Sequence, residues 1–345
     1  MRRLLKLRFF GTGVVLAVAI AACQRPTNSP EVTSEPSSNS DGCQIIAHVS
    51  GETEICGQPQ RVIALGPYVL EPLIALGIQP TGFADHMAFK QSTYDNPSAQ
   101  IPYLGERISN QPANVGVAYT PSIEAISKAQ PDLIIGSEFN AQQYETLSKI
   151  APTVLLDYYD TEENLRTIAK AVSRSDMAEQ LIADTEQTIA SAQKTFSDSA
   201  RANPNALLLF SNPPELAVSK GNQELCHTLL EKLGFQLVSL PGFESNDSRD
   251  TAIPISSEQL SNLNNADFVI LLGSNFETRE STISYEDDQL SGSRKAWQEN
   301  AIAQSLDASK AGRVYFIPAY MCLGLPGPIG TELYLDELKT QLLSP

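Results

Sequence analysis

The residues able to do chemistry are few and far apart. There are three histidines, His48, His86 and His227, and five cysteines, Cys23, Cys43, Cys56, Cys226 and Cys322. A site for a bare metal ion needs several imidazole, thiolate or carboxylate ligands converging on one point. His48 falls between two closely spaced cysteines, His227 lies in a helix-like stretch beside Cys226, and His86 stands alone after a strand-like run, so no metal-ligand set assembles. The chain has no Gly-x-Ser-x-Gly elbow, no His-Glu-x-x-His helix and no Gly-x-x-x-x-Gly-Lys loop. The paired acids Asp287 and Asp288 lie in a polar segment that reads as a solvated loop. Catalysis is not expected, nor is a resident cofactor.

The cysteines point to export. Arg2, Arg3, Lys6 and Arg8 precede an apolar run, 14–20, that is too short to span a bilayer. The run ends Ile20-Ala21-Ala22-Cys23, which resembles a bacterial lipobox with Ile where Leu is more usual. On that reading residues 1–22 are a lipoprotein signal peptide and Cys23 becomes the lipidated first residue; an ordinary secretion signal is the other reading. Residues 24–42 are Ser, Pro, Asn, Thr and Glu with little to bury, so 23–42 is expected to be a disordered tether. Export permits disulfides. Cys43 and Cys56 flank two short strand-like runs about Ser50-Gly51-Glu52, and a bridge closing that hairpin is the expected pairing. Cys226 and Cys322 are too far apart in sequence to be placed, and free buried thiols remain open for them.

The formal net charge is −16, and removal of the signal would take away four basic residues and no acidic one. So acidic a body disfavours nucleic acid or anionic lipid headgroups as partners.

Beyond the tether, short apolar runs alternate with helix-like stretches. Val62-Ile63-Ala64-Leu65 is followed by 69–76, Leu133-Ile134-Ile135-Gly136 by 141–150, and Val154-Leu155-Leu156 closes this half. The second half repeats the idiom at 206–210, 228–233, 267–273 and 313–317. Alternation of this kind implies parallel sheets covered on both faces, hence an α/β class with two three-layer lobes. Between them, 162–197 has no Gly or Pro and is apolar at helical spacing, for example Leu165, Ile168, Ala169 and Val172. A break at 173–176 divides it into a short helix and a second of roughly 20 residues, which would reach about 30 Å and join the lobes rigidly. A helix peripheral to one lobe is the alternative. The expected divisions are a first lobe over 43–160, an interlobe helix over 161–198 and a second lobe over 199–345.

Several motifs carry a family resemblance, from about Gln60 to the end. Arg61-Val62-Ile63-Ala64-Leu65-Gly66-Pro67-Tyr68-Val69-Leu70-Glu71-Pro72-Leu73-Ile74-Ala75-Leu76-Gly77 is similar to the first strand, loop and helix of the periplasmic substrate-binding proteins of siderophore, cobalamin and haem importers. Thr120-Pro121-Ser122-Ile123-Glu124-Ala125-Ile126 leading into Gln130-Pro131-Asp132-Leu133-Ile134-Ile135-Gly136 resembles that family's helix and following strand. Weaker echoes are Lys310-Ala311-Gly312-Arg313-Val314-Tyr315 and Gly327-Pro328-Ile329-Gly330-Thr331-Glu332-Leu333. The resemblance implies two lobes joined by one stiff helix, with the ligand held in the cleft between them.

In open α/β sheets such a cleft lies outside the carboxyl ends of the strands. Applied here, that rule nominates Tyr68, His86, Tyr119, Phe139, Tyr158 and Tyr159 from the first lobe, and Asn212, Lys220, Asn275 and Tyr320 from the second. For a ferric siderophore, the ligand the resemblance favours, the tyrosines would supply flat faces, and Arg107, Lys220 and Arg249 cationic donors. Cobalamin and haem remain alternatives; a haem binder would offer Tyr68, His86 or Met321 as axial ligand. The resemblance also implies an ABC permease and its ATPase as partners, met by a glutamate on each lobe. Glu71 is the residue the motif offers on the first lobe. On the second, Thr228 stands where the counterpart is expected, and Glu224 and Glu231 are the nearby substitutes. The whole reading is a monomer, lipid-anchored on the periplasmic side of the cytoplasmic membrane, that captures and delivers a ligand. An anchored structural or adhesion lipoprotein is the competing class.

Overall fold

The computed structural model describes residues 42–220, 225–240, 252–275 and 284–343. Strands β1 (Cys43–His48) and β2 (Gly51–Cys56) form an antiparallel hairpin that pairs Cys43 with Cys56. A disulfide joins those cysteines. The turn is Val49-Ser50, one residue earlier than the sequence suggests. Ile46 and Ile55 bury the hairpin's inner face in the first core.

The first lobe is a six-stranded sheet, built of β3 (Val62–Leu65), β4 (Gly82–Asp85), β5 (Ala113–Val117), β6 (Thr120–Pro121), β7 (Leu133–Ser137) and β8 (Thr153–Leu156) in the order β6-β5-β4-β3-β7-β8. Only β6 runs antiparallel to its neighbour. β3, β4, β7 and β8 are buried along their whole length. Successive residues of a strand face opposite sides, and the cores divide accordingly. Val62, Ala64, Leu133 and Ile135 join one, with α1 (Pro67–Ala75); Ile63, Leu65 and Ile134 join the other, with Ile126 of α2 (Ile123–Ala129).

The chain then enters α3 (Thr161–Ala171) and, after a break at 172–174, α4 (Ser175–Ala202). The second helix, 28 residues long, exceeds the expected length and spans about 42 Å. No side chain caps its start. Ala178, near its start, belongs to the first-lobe core, and Ala192, Phe196 and Ala200 belong to the second. Asn203-Pro204 ends it, since the residue before a proline is driven out of helical geometry.

The second lobe contains β9 (Asn205–Asn212), β10 (Glu215–Ser219), β11 (Gln236–Leu237), β12 (Ala252–Pro254), β13 (Phe268–Gly273) and β14 (Val314–Pro318), ordered β12-β10-β9-β13-β14 with β11 also on β9. One face is covered by α4, α5 (Leu225–Lys232) and α8 (Pro328–Leu343), the other by α6 (Ser257–Leu260) and α7 (Tyr285–Glu299). Edge strand, short helix and buried strand recur in both lobes, as β6-α2-β7 and β12-α6-β13. α8 is a second link between lobes: Ile329 and Leu333 reach the first core while Tyr334, Leu335 and Leu338 fill the second. Among the described residues no helix is long and apolar enough to cross a membrane.

Candidate functional site: an aromatic cleft between the lobes

The carboxyl ends of β3, β4, β7 and β13, with the segment after β14, converge on one cleft. Gly66, which precedes α1 at φ 129°, is there for a packing reason. A Cβ on it would lie 2.4 Å from Cε1 of Tyr68, so a larger residue would both strain the backbone and displace that ring.

Rings from both lobes line this cleft in a continuous chain. His86 stacks on Tyr119 with centroids 5.5 Å apart and lies 6.0 Å from Tyr320. Tyr119 meets Phe139 at 5.3 Å, Phe139 meets Tyr158 at 5.5 Å, and Tyr158 meets Tyr159 at 5.2 Å. A cavity of about 160 Å³ is lined by His86, Tyr119 and Tyr158 of the first lobe and by Asn275, Tyr285, Gln289 and Tyr320 of the second. A neighbouring cavity of about 540 Å³ shares Ser274, Ala319 and Leu323 with it and extends along Asn212, Glu215 and Leu216.

Hydrogen bonds cross the cleft. The Tyr320 hydroxyl donates to Asp85 Oδ1 at 3.1 Å, and the Tyr158 hydroxyl donates to the Leu323 carbonyl at 2.7 Å. Burial raises the Asp85 pKa to about 6, although the His86 backbone N–H and the Tyr320 hydroxyl both favour its charged form. Burial lowers His86 to about 4, so its ring is neutral near pH 7 and can face an apolar or metal-bound ligand without a charge. Tyr119 is pushed up to about 12, mainly by burial, and stays protonated.

The remaining expected site residues distribute unevenly. Tyr68 is 5% exposed and lies behind the wall, bonded to Ser137 Oγ at 3.0 Å and packed edge-on to Tyr158. Lys220 follows β10 and is partly buried. Arg107 is a correction: it is exposed, lines neither cavity, and its charge instead lies near Glu71. Cys23, Glu224 and Arg249 lie outside the described residues.

Glu71 is the larger correction. It is fully buried, because α1 is covered by α3 and α8, and its Oε1 accepts the Ile329 backbone N–H at 2.7 Å. A carboxylate with no exposed surface cannot meet a permease. Glu124 and Glu258, by contrast, are exposed at helix starts. Ser122 Oγ accepts from Ala125 N at 3.2 Å and Ser256 Oγ from Gln259 N at 3.4 Å, so each glutamate follows a capping serine at the same step of the repeated strand-helix-strand unit. The signal was present as Ser-x-Glu at 122–124 and again at 256–258.

Sequence reasoning also missed Tyr285 and Gln289 by reading this region as a loop. It is helix α7, capped by Ser284, whose Oγ accepts from Asp287 N at 3.1 Å. Ser-x-x-Asp before a helix was the available signal. Asp288, far from solvated, is 7% exposed and accepts from Asn275 Nδ2 and Gln289 Nε2. Cys226 and Cys322, left open by the sequence, are joined by a disulfide.

A cleft of this kind, between two α/β lobes joined by long helices, defines a solute-binding protein. The family described as periplasmic binding protein matches residues 62–321, and the chain belongs to it. YhfQ of Bacillus subtilis (strain 168), whose name is that of an ABC transporter substrate-binding lipoprotein, is 26% identical over 341 residues, covering 96% of each chain. The Fe(3+)-citrate-binding protein YfmC of the same organism is 28% identical over 312 residues, covering 87% of each. Among solved structures, SirA of Staphylococcus aureus complexed with staphyloferrin B superposes with a TM-score of 0.69 at 24% identity, over 87% of this chain and 98% of that one. The family is one of substrate-binding proteins rather than enzymes.

Proposed function

We propose that this protein is the solute-binding component of an ABC importer, capturing a ferric siderophore in the interlobe cleft and delivering it to a membrane permease. The observation that carries this reading is the aromatic wall, contributed by both lobes and bridged by Tyr320–Asp85 and Tyr158–Leu323. An iron already wrapped by its chelator needs shape and flat faces rather than protein ligands, and rings at 5–6 Å from one another supply them. The names of the relatives, among them ferric citrate and siderophore binders, support the same class. The described cavity walls carry Glu215, with Asp85 and Asp288 close behind.

In this reading Cys23 carries the lipid that holds a monomeric body at the outer side of the cytoplasmic membrane, and Glu124 and Glu258 are the permease contacts. The test is quenching of tyrosine fluorescence on titration with a ferric hydroxamate, a ferric catecholate, ferric citrate, cobalamin and haemin. Trp297 lies in the second-lobe core, so the tyrosines report on the cleft. Saturable quenching by a ferric complex and not by its iron-free form is expected. A response to cobalamin or haemin alone would change the ligand, and silence from all five would overturn the transport reading.

A further inference from the structure

One short segment supplies much of the second lobe's side of the cleft. Tyr320–Gly324 is a single π-helical turn between β14 and the start of α8, a form of helix that is rare and concentrates at functional sites. It contributes Tyr320, Leu323 and Gly324 to the smaller cavity and Leu323 to the larger. The two hydrogen bonds that close the cleft also come from it, through the Tyr320 hydroxyl to Asp85 and the Leu323 carbonyl from Tyr158. Backbone bonds and packing tie the segment to its own lobe: Cys322 N and Leu323 N both donate to the Ala319 carbonyl, at 3.2 and 2.9 Å, and Met321 is buried in the second core.

It is also attached covalently. Cys322, between Tyr320 and Leu323 in the turn, is 1% exposed and bonded to Cys226 at the start of α5. That helix is set in the second-lobe core by Leu229 and Leu230, and His227 Nδ1 lies 3.0 Å from Ser219 Oγ at the end of β10. The bridge therefore fixes the cleft turn to a buried helix 96 residues away in sequence. The other disulfide, Cys43–Cys56, closes a hairpin whose inner face packs against the first core.

We propose that Cys226–Cys322 is a positioning element of the ligand site, holding Tyr320 and Leu323 where they meet both the ligand and the first lobe. Its loss leaves a folded protein that binds its ligand weakly. For the ligand this rests on the transport reading above; for the turn it does not.

The experiment compares wild type with C226S/C322S and, as a control, C43S/C56S. Affinity and dissociation rate for a ferric hydroxamate, a ferric catecholate and ferric citrate are measured together with amide hydrogen exchange over 320–324 and Tm. The expected result is about tenfold weaker binding, carried by faster dissociation, and about tenfold faster exchange at 320–324 in C226S/C322S. C43S/C56S is expected to lower Tm with neither change. Should the serine pair fail to fold, C226V/C322A fills the same buried site with apolar groups and takes its place. Unchanged affinity and unchanged exchange in a folded variant would overturn the proposal. If wild type bound no ferric complex, the ferric-siderophore reading would fall while exchange at 320–324 still decided this one.

Discussion

The Glu71 carboxylate, on the first helix of the first lobe, accepts the backbone N–H of Ile329 at the start of the last helix, 258 residues later. A helix start leaves backbone donors without partners, and here a buried acid from the other lobe supplies one. Gly327 makes the approach possible, since a Cβ there would lie 2.0 Å from Glu71 Oε2. Glu71→Ala is expected to cost roughly 2–4 kcal/mol, from a cavity and an orphaned N–H. Gly327→Ala is expected to cost roughly 1–3 kcal/mol through overpacking. The double variant should fall short of their sum, because removing the carboxylate makes room for the methyl. Urea unfolding of the four proteins checks this, and strict additivity would show that the contact is not the cause.

The same burial makes a prediction about pH. Glu71 is raised from 4.5 to about 7, chiefly by desolvation. The folded state thus keeps a proton that the unfolded chain has lost. The resulting stabilisation is complete below pH 4.5 and is lost as pH rises through about 7. Asp85, raised from 3.8 to about 6, acts in the same direction, whereas His86, lowered from 6.5 to about 4, opposes them as pH falls. Glu71→Gln keeps the shape without the titration, so its stability relative to wild type should improve steadily between those two pH values. A constant difference across the range would mean that Glu71 does not titrate in it.

Glu124 and Glu258 test the delivery step. Both are exposed, so Glu124→Ala combined with Glu258→Ala should leave Tm and ligand affinity near wild type, within about 0.5 kcal/mol. Uptake of the ferric ligand by whole cells should fall by at least about tenfold, the scale of losing charged interface contacts. Wild-type uptake by this variant would move the docking surface elsewhere.

The aromatic wall tests the capture step. Tyr119 is 39% exposed and Phe139 47%, so truncating either to Ala should not unfold the protein. Each is expected to weaken ligand binding by about five- to tenfold, the usual worth of one aromatic contact. Titration of the purified variants checks it, and unaltered affinity in both would place the ligand away from this wall.

Strand and helix order, both lobes and the junction between them could be read from local patterns: apolar runs four to six residues long, and a stretch without Gly or Pro from 162 to 197. The rule that ligands gather at strand ends nominated His86, Tyr119, Tyr158, Asn275 and Tyr320, which line one cavity, because that rule depends only on strand direction. What the sequence could not show was which face of an element another element covers. Glu71 lies in a recognisable motif, but its environment is set by α3 and α8, whose residues come some 90 and 260 positions later. Arg107 and Lys220 could be nominated as cations but not oriented. The Cys226–Cys322 bond and the burial of Asp288 and Glu71 were all decided by tertiary packing. Periodicity is a local property of the chain, whereas burial and long-range pairing belong to the folded whole.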